Sequence, residues 1–257
     1  MIIDSHAHLN NERLLPQAGE IVAGFEANNI ESCIIAGFDY KSSLLGVELA
    51  EKYSQYALIG THPEEIKEVT NVILEKYKEL AKSSRVVGIG EIGLDYYYED
   101  NPPKEEQIEA FEKQIMLADE LKLPIALHVR DAYGDCLSVL KNMHAHLNSG
   151  ILLHCYSGSK EMIREFNAFD CYYALGGAIT FKNAKKDDVI KEIPINRLLV
   201  ETDCPYLTPH PYRGETNEPK YINLTVEKIA AVLEKEKEEI IDITNKNTKT
   251  LFFKIRG

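Results

Sequence analysis

Long apolar runs are missing from this 257-residue chain; none exceeds five or six residues, whereas a helix that crosses a bilayer needs about 20. A membrane-spanning role is therefore not expected. The opening MIIDSHAHLN has neither a basic region nor a long apolar stretch, so it does not read as a secretory signal. Cysteine is sparse and unpatterned. Cys33, Cys136, Cys155, Cys171 and Cys204 are odd in number and never form CxxC, which excludes a disulfide framework and a zinc knuckle. Reduced thiols in a cytoplasmic protein are the expectation. A basic surplus is also lacking: 29 Lys and Arg stand against 41 Asp and Glu, a net charge of −12. That balance excludes strong non-specific polyanion binding but says little about the chemistry of a cleft. With 44% hydrophobic and 27% charged residues the composition is ordinarily globular. A chain of this length buries roughly 70–75% of its unfolded surface, so it needs no covalent or metal staple. No obligate protein partner is indicated.

What the chain does contain is a repeat of apolar, β-branched runs separated by amphipathic stretches. The runs are Ile2–Asp4, Ser32–Ala36, Tyr56–Gly60, Val86–Gly90, Pro124–His128, Ile151–His154, Tyr172–Gly176 and Arg197–Glu201. Among the intervening segments Lys104–Leu121 is clearest, with Ile108, Phe111, Ile115, Ala118 and Leu121 on one helical face and Pro102–Pro103 ahead of it. Near-continuous apolar strands alternating with helices imply parallel strands covered on both faces. Eight such units predict an α/β fold, a (β/α)8 TIM barrel in a single domain spanning residues 1–257. A doubly wound sheet would leave the number eight without a reason. Beyond the eighth run lie a Pro-rich loop, Cys204–Pro219, and helical patterns at Ile222–Leu233 and Glu238–Lys254. The acidic clusters Glu64–Glu68 and Glu234–Glu239 read as solvated helix faces.

In such a barrel the C-terminal ends of the strands converge on one mouth. At or just past those ends stand His6 and His8, His62, Glu91, His128, His154 and Asp203. Residues two apart on a strand share a face, so His6 and His8 can grip one cation. The same spacing recurs at His144 and His146, which follow a helix-like stretch and read as surface residues. Four imidazoles and two carboxylates at one rim suit a centre for two divalent ions, with Mg, Mn and Zn as candidates. Glu91, midway in barrel order, is the candidate bridge. His62 reads either as a satisfied loop histidine or as a catalytic group that orients the scissile bond or protonates a leaving oxygen. Arg213 reads as a phosphate clamp or as an ordinary surface cation. Arg130 and Asp131 are a candidate internal pair bracing the site, and Glu201 reads either as a base behind the ligands or as a carboxylate that simply pairs with a cation. Strand alternation turns Cys155 away from the mouth, so no cysteine nucleophile is expected. His210 has no assigned role.

The blocks IDSHAHL, GTHP, GEIGLDYY, LHVRDA, HCYSGS and ETDCPYLTP through RGETNEP resemble the TatD family of metal-dependent deoxyribonucleases. They run in order from residue 3 to residue 219. The resemblance implies an amidohydrolase-like barrel in which His6, His8 and Asp203 hold one metal, His128 and His154 the other, and Glu91 both. Glu64 stands where that family often has a second histidine or an aromatic. Glu215 and Thr216 fill places that often carry basic residues, so this mouth is the more acidic.

Three functions are open at this level. In the first, the enzyme is a metal-dependent phosphodiesterase acting as an exonuclease on DNA, a transient substrate. Asp203 then takes a proton from water, Glu91 holds the metals, and His62 or Arg213 steadies the phosphate. The alternative is a binuclear-metal amidohydrolase or esterase with a small-molecule substrate. The third is a metal sensor or scaffold without catalysis.

Overall fold

All eight apolar runs become parallel strands in the computed structural model, which describes residues 1–255. The strands are β1 Ile2–Ala7, β2 Ile30–Ala36, β3 Tyr56–Ile59, β4 Val86–Asp95, β5 Ile125–Arg130, β6 Ile151–Leu153, β7 Tyr172–Leu175 and β8 Leu198–Val200. Each pairs with the next in chain order, giving the expected single-domain (β/α)8 barrel. The seam between β8 and β1 is closed by individual contacts. Asp203 N–H donates to the His6 carbonyl at 2.9 Å and His8 N–H to the Cys204 carbonyl at 2.8 Å. Beside them the Asp4 carboxylate accepts from Thr202 through both its backbone N–H, 2.9 Å, and its hydroxyl, 2.5 Å.

One parity of most strands packs inside the barrel. Ile34, Leu58, Val87, Ala126, Leu152 and Leu199 form this inner layer, with Leu251, Phe252 and Ile255 of the C-terminal segment packed against it. The opposite parity, including Ile35, Ile59, Val86, Leu127 and Val200, meets the helices in the larger cluster. Both faces of each strand are thus apolar, which is why the runs show no polar alternation.

Two of the expected helices, Lys104–Leu121 and Ile222–Leu233, have the anticipated bounds, and the last is Lys237–Leu251. Pro63–Glu68 is a short 3-10 helix with Ile66 buried on it. Glu234–Glu239 is not one helical face: Glu234 adopts φ +54°, ends the preceding helix and starts the turn into the next. Three strands run past their expected ends, β5 among them, from His128 to Arg130. β1 continues through His6 to Ala7, and β4 continues from Gly90 to Asp95, paired with β5 at Gly93↔His128 and Asp95↔Arg130. No helix among the described residues is long and apolar enough to cross a membrane.

Candidate metal centre

The inner layer leads directly to the mouth. Two-residue steps up the strands connect Leu58 to Gly60 and His62, Ala126 to His128, Leu152 to His154, and Leu199 to Glu201 and Asp203. β4 is irregular: Val87 faces inward, Ile89 joins the outer cluster, and the register with β5 slips between Ile89 and Ile92, beyond which Glu91, Gly93 and Asp95 follow at two-residue steps. β1 also breaks the rule. Ile3 belongs to the inner layer, yet His6 also faces inward, and the β1–β2 register slips between Asp4 and Ala7 to allow it.

The seven residues meet around the carboxylate of Glu91. Its Oε2 lies 3.5 Å from His6 Nε2 and 3.7 Å from His8 Nε2. Asp203 Oδ1 closes this group, 3.4 Å from His8 Nε2 and 3.9 Å from His6 Nε2. Glu91 Oε1 faces the other way, 2.8 Å from both His128 Nδ1 and His154 Nε2 and 3.7 Å from His62 Nε2. One oxygen therefore serves each set of imidazoles.

Whether these residues suit metal ions can be judged from the donor spacing. Bonds of about 2.1 Å in a tetrahedral arrangement put neighbouring donors roughly 3.4 Å apart. The four contacts among His6, His8, Glu91 and Asp203 span 3.4–3.9 Å, longer than ordinary hydrogen bonds and close to that edge. Neither ring nitrogen of the fully buried His6 has a hydrogen-bond partner, a costly arrangement unless a cation takes the lone pair. Among the described residues, three overlapping groups satisfy the spacing of a metal site: His6–His8–Asp203, His6–Glu91–His154 and His62–Glu91–His128. The donor set fits divalent metal.

Electrostatics agree with a centre that demands positive charge. Burial alone would raise the Glu91 pKa, but His154, His128 and His6 outweigh it and hold the carboxylate well below its usual range. Burial opposes ionisation of Asp203 as well, and His8 and His154 overcome it. Desolvation pulls His154 and His128 down, yet Glu91 with Glu201, and Asp95 with Glu91, leave both raised. His62 differs: burial and the neighbouring His128 push it down to about 3, so its ring is neutral. Its Nδ1 accepts the Glu64 N–H at 3.3 Å, capping the Pro63–Glu68 helix, which leaves the ring proton on Nε2 and aimed at the cluster.

Two carboxylates that the sequence reading passed over support the ligands. Asp95 Oδ2 accepts from His128 Nε2 at 2.8 Å, which turns Nδ1 toward Glu91. Extending β4 to Asp95 was the signal that would have found it, since Asp95 shares the face of Glu91. Gly93, at φ +138°, makes the approach possible, because a Cβ there would collide with the His128 carbonyl. Asp4 also accepts the His6 N–H at 3.3 Å; burial outweighs its bonds to Thr202 and lifts its pKa to about 7. Glu201 stands where the sequence suggested, with Oε1 accepting the Cys155 N–H at 2.5 Å and lying 3.6 Å from His154 Nδ1.

The remaining residues fall outside the cluster. Arg130 and Asp131 do not pair: the Arg130 guanidinium lies over the Tyr97 ring at 3.6 Å, while Asp131, at φ +52°, is exposed. The register that pairs Asp95 with Arg130 carries the loop after β4 over it, and the backbone turn sends Asp131 to solvent. Arg213 stacks over Phe181 at 3.9 Å, in the wall of an adjoining cavity that also includes His210 and Cys155. Burial pushes the Cys155 thiol well up, with Asp203 and Glu201 adding to the effect. His144 is exposed and His146 pairs with Asp119 at 2.7 Å on the surface, as expected for the HxH pair outside the mouth.

Comparison with known proteins gives one consistent grouping. A family model described as TatD related DNase matches residues 3–253. The metal-dependent hydrolase YabD of Bacillus subtilis is 45% identical over 98% of this chain and 99% of its own length. The metal-dependent hydrolase YcfH of Escherichia coli K12 is 32% identical over 98% of this chain and 95% of its own. Among solved structures, YjjV, a TatD homologue from Escherichia coli K12, superposes with a TM-score of 0.91 at 28% identity, covering 98% of both chains. An organophosphorus hydrolase from Deinococcus radiodurans, at 13% identity and a TM-score of 0.65, shares the fold, with 98% of this chain and 92% of that one covered.

Proposed function

The chain belongs to the TatD-related DNase family and is a metal-dependent hydrolase, and on that premise we propose that its substrate bond is the phosphodiester of DNA, cut from a strand end. The observation that carries the reading is the division of Glu91, one carboxylate oxygen toward His6, His8 and Asp203 and the other toward His128 and His154. His6, His8 and Asp203 would hold one divalent ion, His128 and His154 a second, and Glu91 both, with Mg, Mn or Zn as the candidates. Ions so held supply Lewis acidity, offsetting phosphoryl charge and making water acidic near neutral pH.

The protein's own residues supply the rest. Asp203 keeps its charge at neutral pH because His8 and His154 hold its pKa down, so it can accept the proton of the attacking water. His62 is neutral with its proton on Nε2, which suits it to donate a hydrogen bond to a phosphoryl oxygen rather than to deliver a full proton. Asp95 and Glu201 steady the rings of His128 and His154 from behind. Cys155, half-buried with its pKa well raised, stays a protonated thiol and takes no part. The net charge of −12 makes the contact with DNA weak and transient.

The test is cleavage of end-labelled single-stranded DNA by protein reconstituted with Mn²⁺. Asp203→Asn should lose about 10²–10⁴ in kcat. Glu91→Gln should fall below detection and bind less metal by elemental analysis. Full turnover in either variant overturns the mechanism. A second reading, a small-molecule amidohydrolase or esterase, draws on Glu64, whose carboxylate is 3.8 Å from His62 Nδ1 at the rim and would repel a polyanion. Lactone or amide turnover far above DNA cleavage in a substrate panel would decide for it.

A further inference from the structure

Beside the candidate metal centre, between the loops that follow β6, β7 and β8, opens a cavity of about 510 Å³. Cys155, the residue after His154, is part of its wall, and Gly176 of that wall packs against Glu201. Its composition is at odds with the rest of the chain. None of the thirteen residues around it is acidic and three are Lys or Arg, in a protein where acids outnumber bases 41 to 29. Such a wall suits an anion. Part of the lining, by contrast, is apolar, with Ile179, Ala178 and Phe181.

The two characters meet at Arg213. Its guanidinium lies 3.9 Å above the Phe181 ring and makes no ion pair among the described residues, although it is exposed. A guanidinium held flat on one face offers its other face for stacking, and aromatic bases stack on it well. The cavity is also preformed. Lys186 Nζ donates to the carbonyls of Ser157 at 2.6 Å and Gly158 at 3.2 Å, which ties the loop after β6 to the segment after β7. One donor of that ammonium remains for a ligand.

We propose that this cavity is a nucleotide subsite, in which the base next to the scissile phosphate stacks on the Phe181-braced plane of Arg213. The cations Lys182 and Lys186 face the nucleotide's phosphate. The assignment rests on the phosphodiesterase reading for its place in the reaction, but the cavity's preference for a base-bearing ligand is measurable without turnover.

The experiment is calorimetric titration of the metal-loaded protein with thymidine 5′-monophosphate and with deoxyribose 5-phosphate. Wild type should bind the base-bearing ligand about 10-fold more tightly, the scale of one base stacked on a side chain. Phe181→Ala should level the two, and Phe181→Tyr, which keeps the ring, should restore the difference. Arg213→Lys keeps the charge and loses the plane, so it should retain deoxyribose phosphate binding and lose the preference. Circular dichroism and thermal melting verify that each variant is folded. Equal binding of the two ligands by wild type, or a preference that survives both Phe181→Ala and Arg213→Lys, overturns the subsite. Base preference in a protein that does not cleave DNA would sink the phosphodiesterase reading and keep the subsite; DNA cleavage without base preference would do the reverse.

Discussion

Replacing Asp95 by Asn isolates the support of one half of the centre without touching a proposed ligand. The carboxylate is 1% exposed and fully used: Oδ2 takes His128 Nε2 at 2.8 Å, and Oδ1 takes the Tyr97 N–H at 2.9 Å and Asn101 Nδ2 at 3.1 Å. An asparagine has the same shape but only one acceptor oxygen. Whichever way it turns, its amide N–H₂ meets a donor, either His128 or Tyr97. At least one hydrogen bond to a charged group is lost, one if the amide faces His128 and two if it faces Tyr97 and Asn101, each worth about 1.5–3 kcal/mol. If the loss falls on His128, the ring is no longer held with Nδ1 toward Glu91. Metal affinity at that half should then drop roughly 10–100-fold, the usual penalty for removing such an orienting carboxylate. The His6–His8–Asp203 half makes no contact with Asp95 and should change by no more than about 3-fold. Stepwise titration with Zn²⁺ or Mn²⁺ against a chromogenic chelator resolves the two affinities. An unchanged weaker step, or equal losses in both steps, would refute the assignment of Asp95 to His128 alone.

Three further outcomes follow from the structure. Removal of metal by chelation should lower stability by about 2.7 kcal/mol relative to protein at a hundredfold excess of ion over its dissociation constant, a downward shift of a few degrees in Tm by calorimetry. Tyr77→Phe should cost roughly 1–3 kcal/mol in denaturant unfolding, because the buried hydroxyl donates to the Gly60 carbonyl at 2.8 Å and meets Thr61 Oγ1 at 2.8 Å, leaving buried groups unsatisfied at the base of the His62 loop. Glu31 has a lowered pKa: burial would raise it, but Lys249 at 2.6 Å and Asn245 at 2.7 Å overcome that. Its stabilising contribution is thus complete above the ordinary value of 4.5 and is lost as pH falls through the lower folded value. Glu31→Gln should therefore cost under about 1 kcal/mol at pH 7, given the half-exposed pair, and nothing in strong acid, as read by urea midpoints.

The eight strands were legible because a barrel strand is covered on both faces and so appears in the chain as a plain apolar run. The helix Lys104–Leu121 announced itself through its apolar period and its prolines. Most of the candidate site was legible for a related reason: every strand of a parallel barrel points its C-terminal end at the same mouth, so His62, Glu91, His128, His154 and Asp203 had to converge there. His6 and His8 were placed correctly, although the route was hidden, since the register slip that brings His6 inward leaves no mark in a two-residue pattern.

Local pattern had no access to contacts made by closing the barrel. Asp4 and Thr202 are 198 positions apart and become partners only when β8 returns to β1. Asp95 reaches His128 only because β4 runs on past its apolar run, alongside β5. Arg130 and Asp131, adjacent in the chain, are sent to different surroundings by the backbone turn between them. Arg213 is drawn onto Phe181, a residue of another loop, and away from the imidazoles. Residue types and strand ends thus specified the chemistry gathered at the mouth. The orientation of each ring, the split of Glu91 between two donor sets and the acid-free cavity beside them came from distant segments packing in three dimensions.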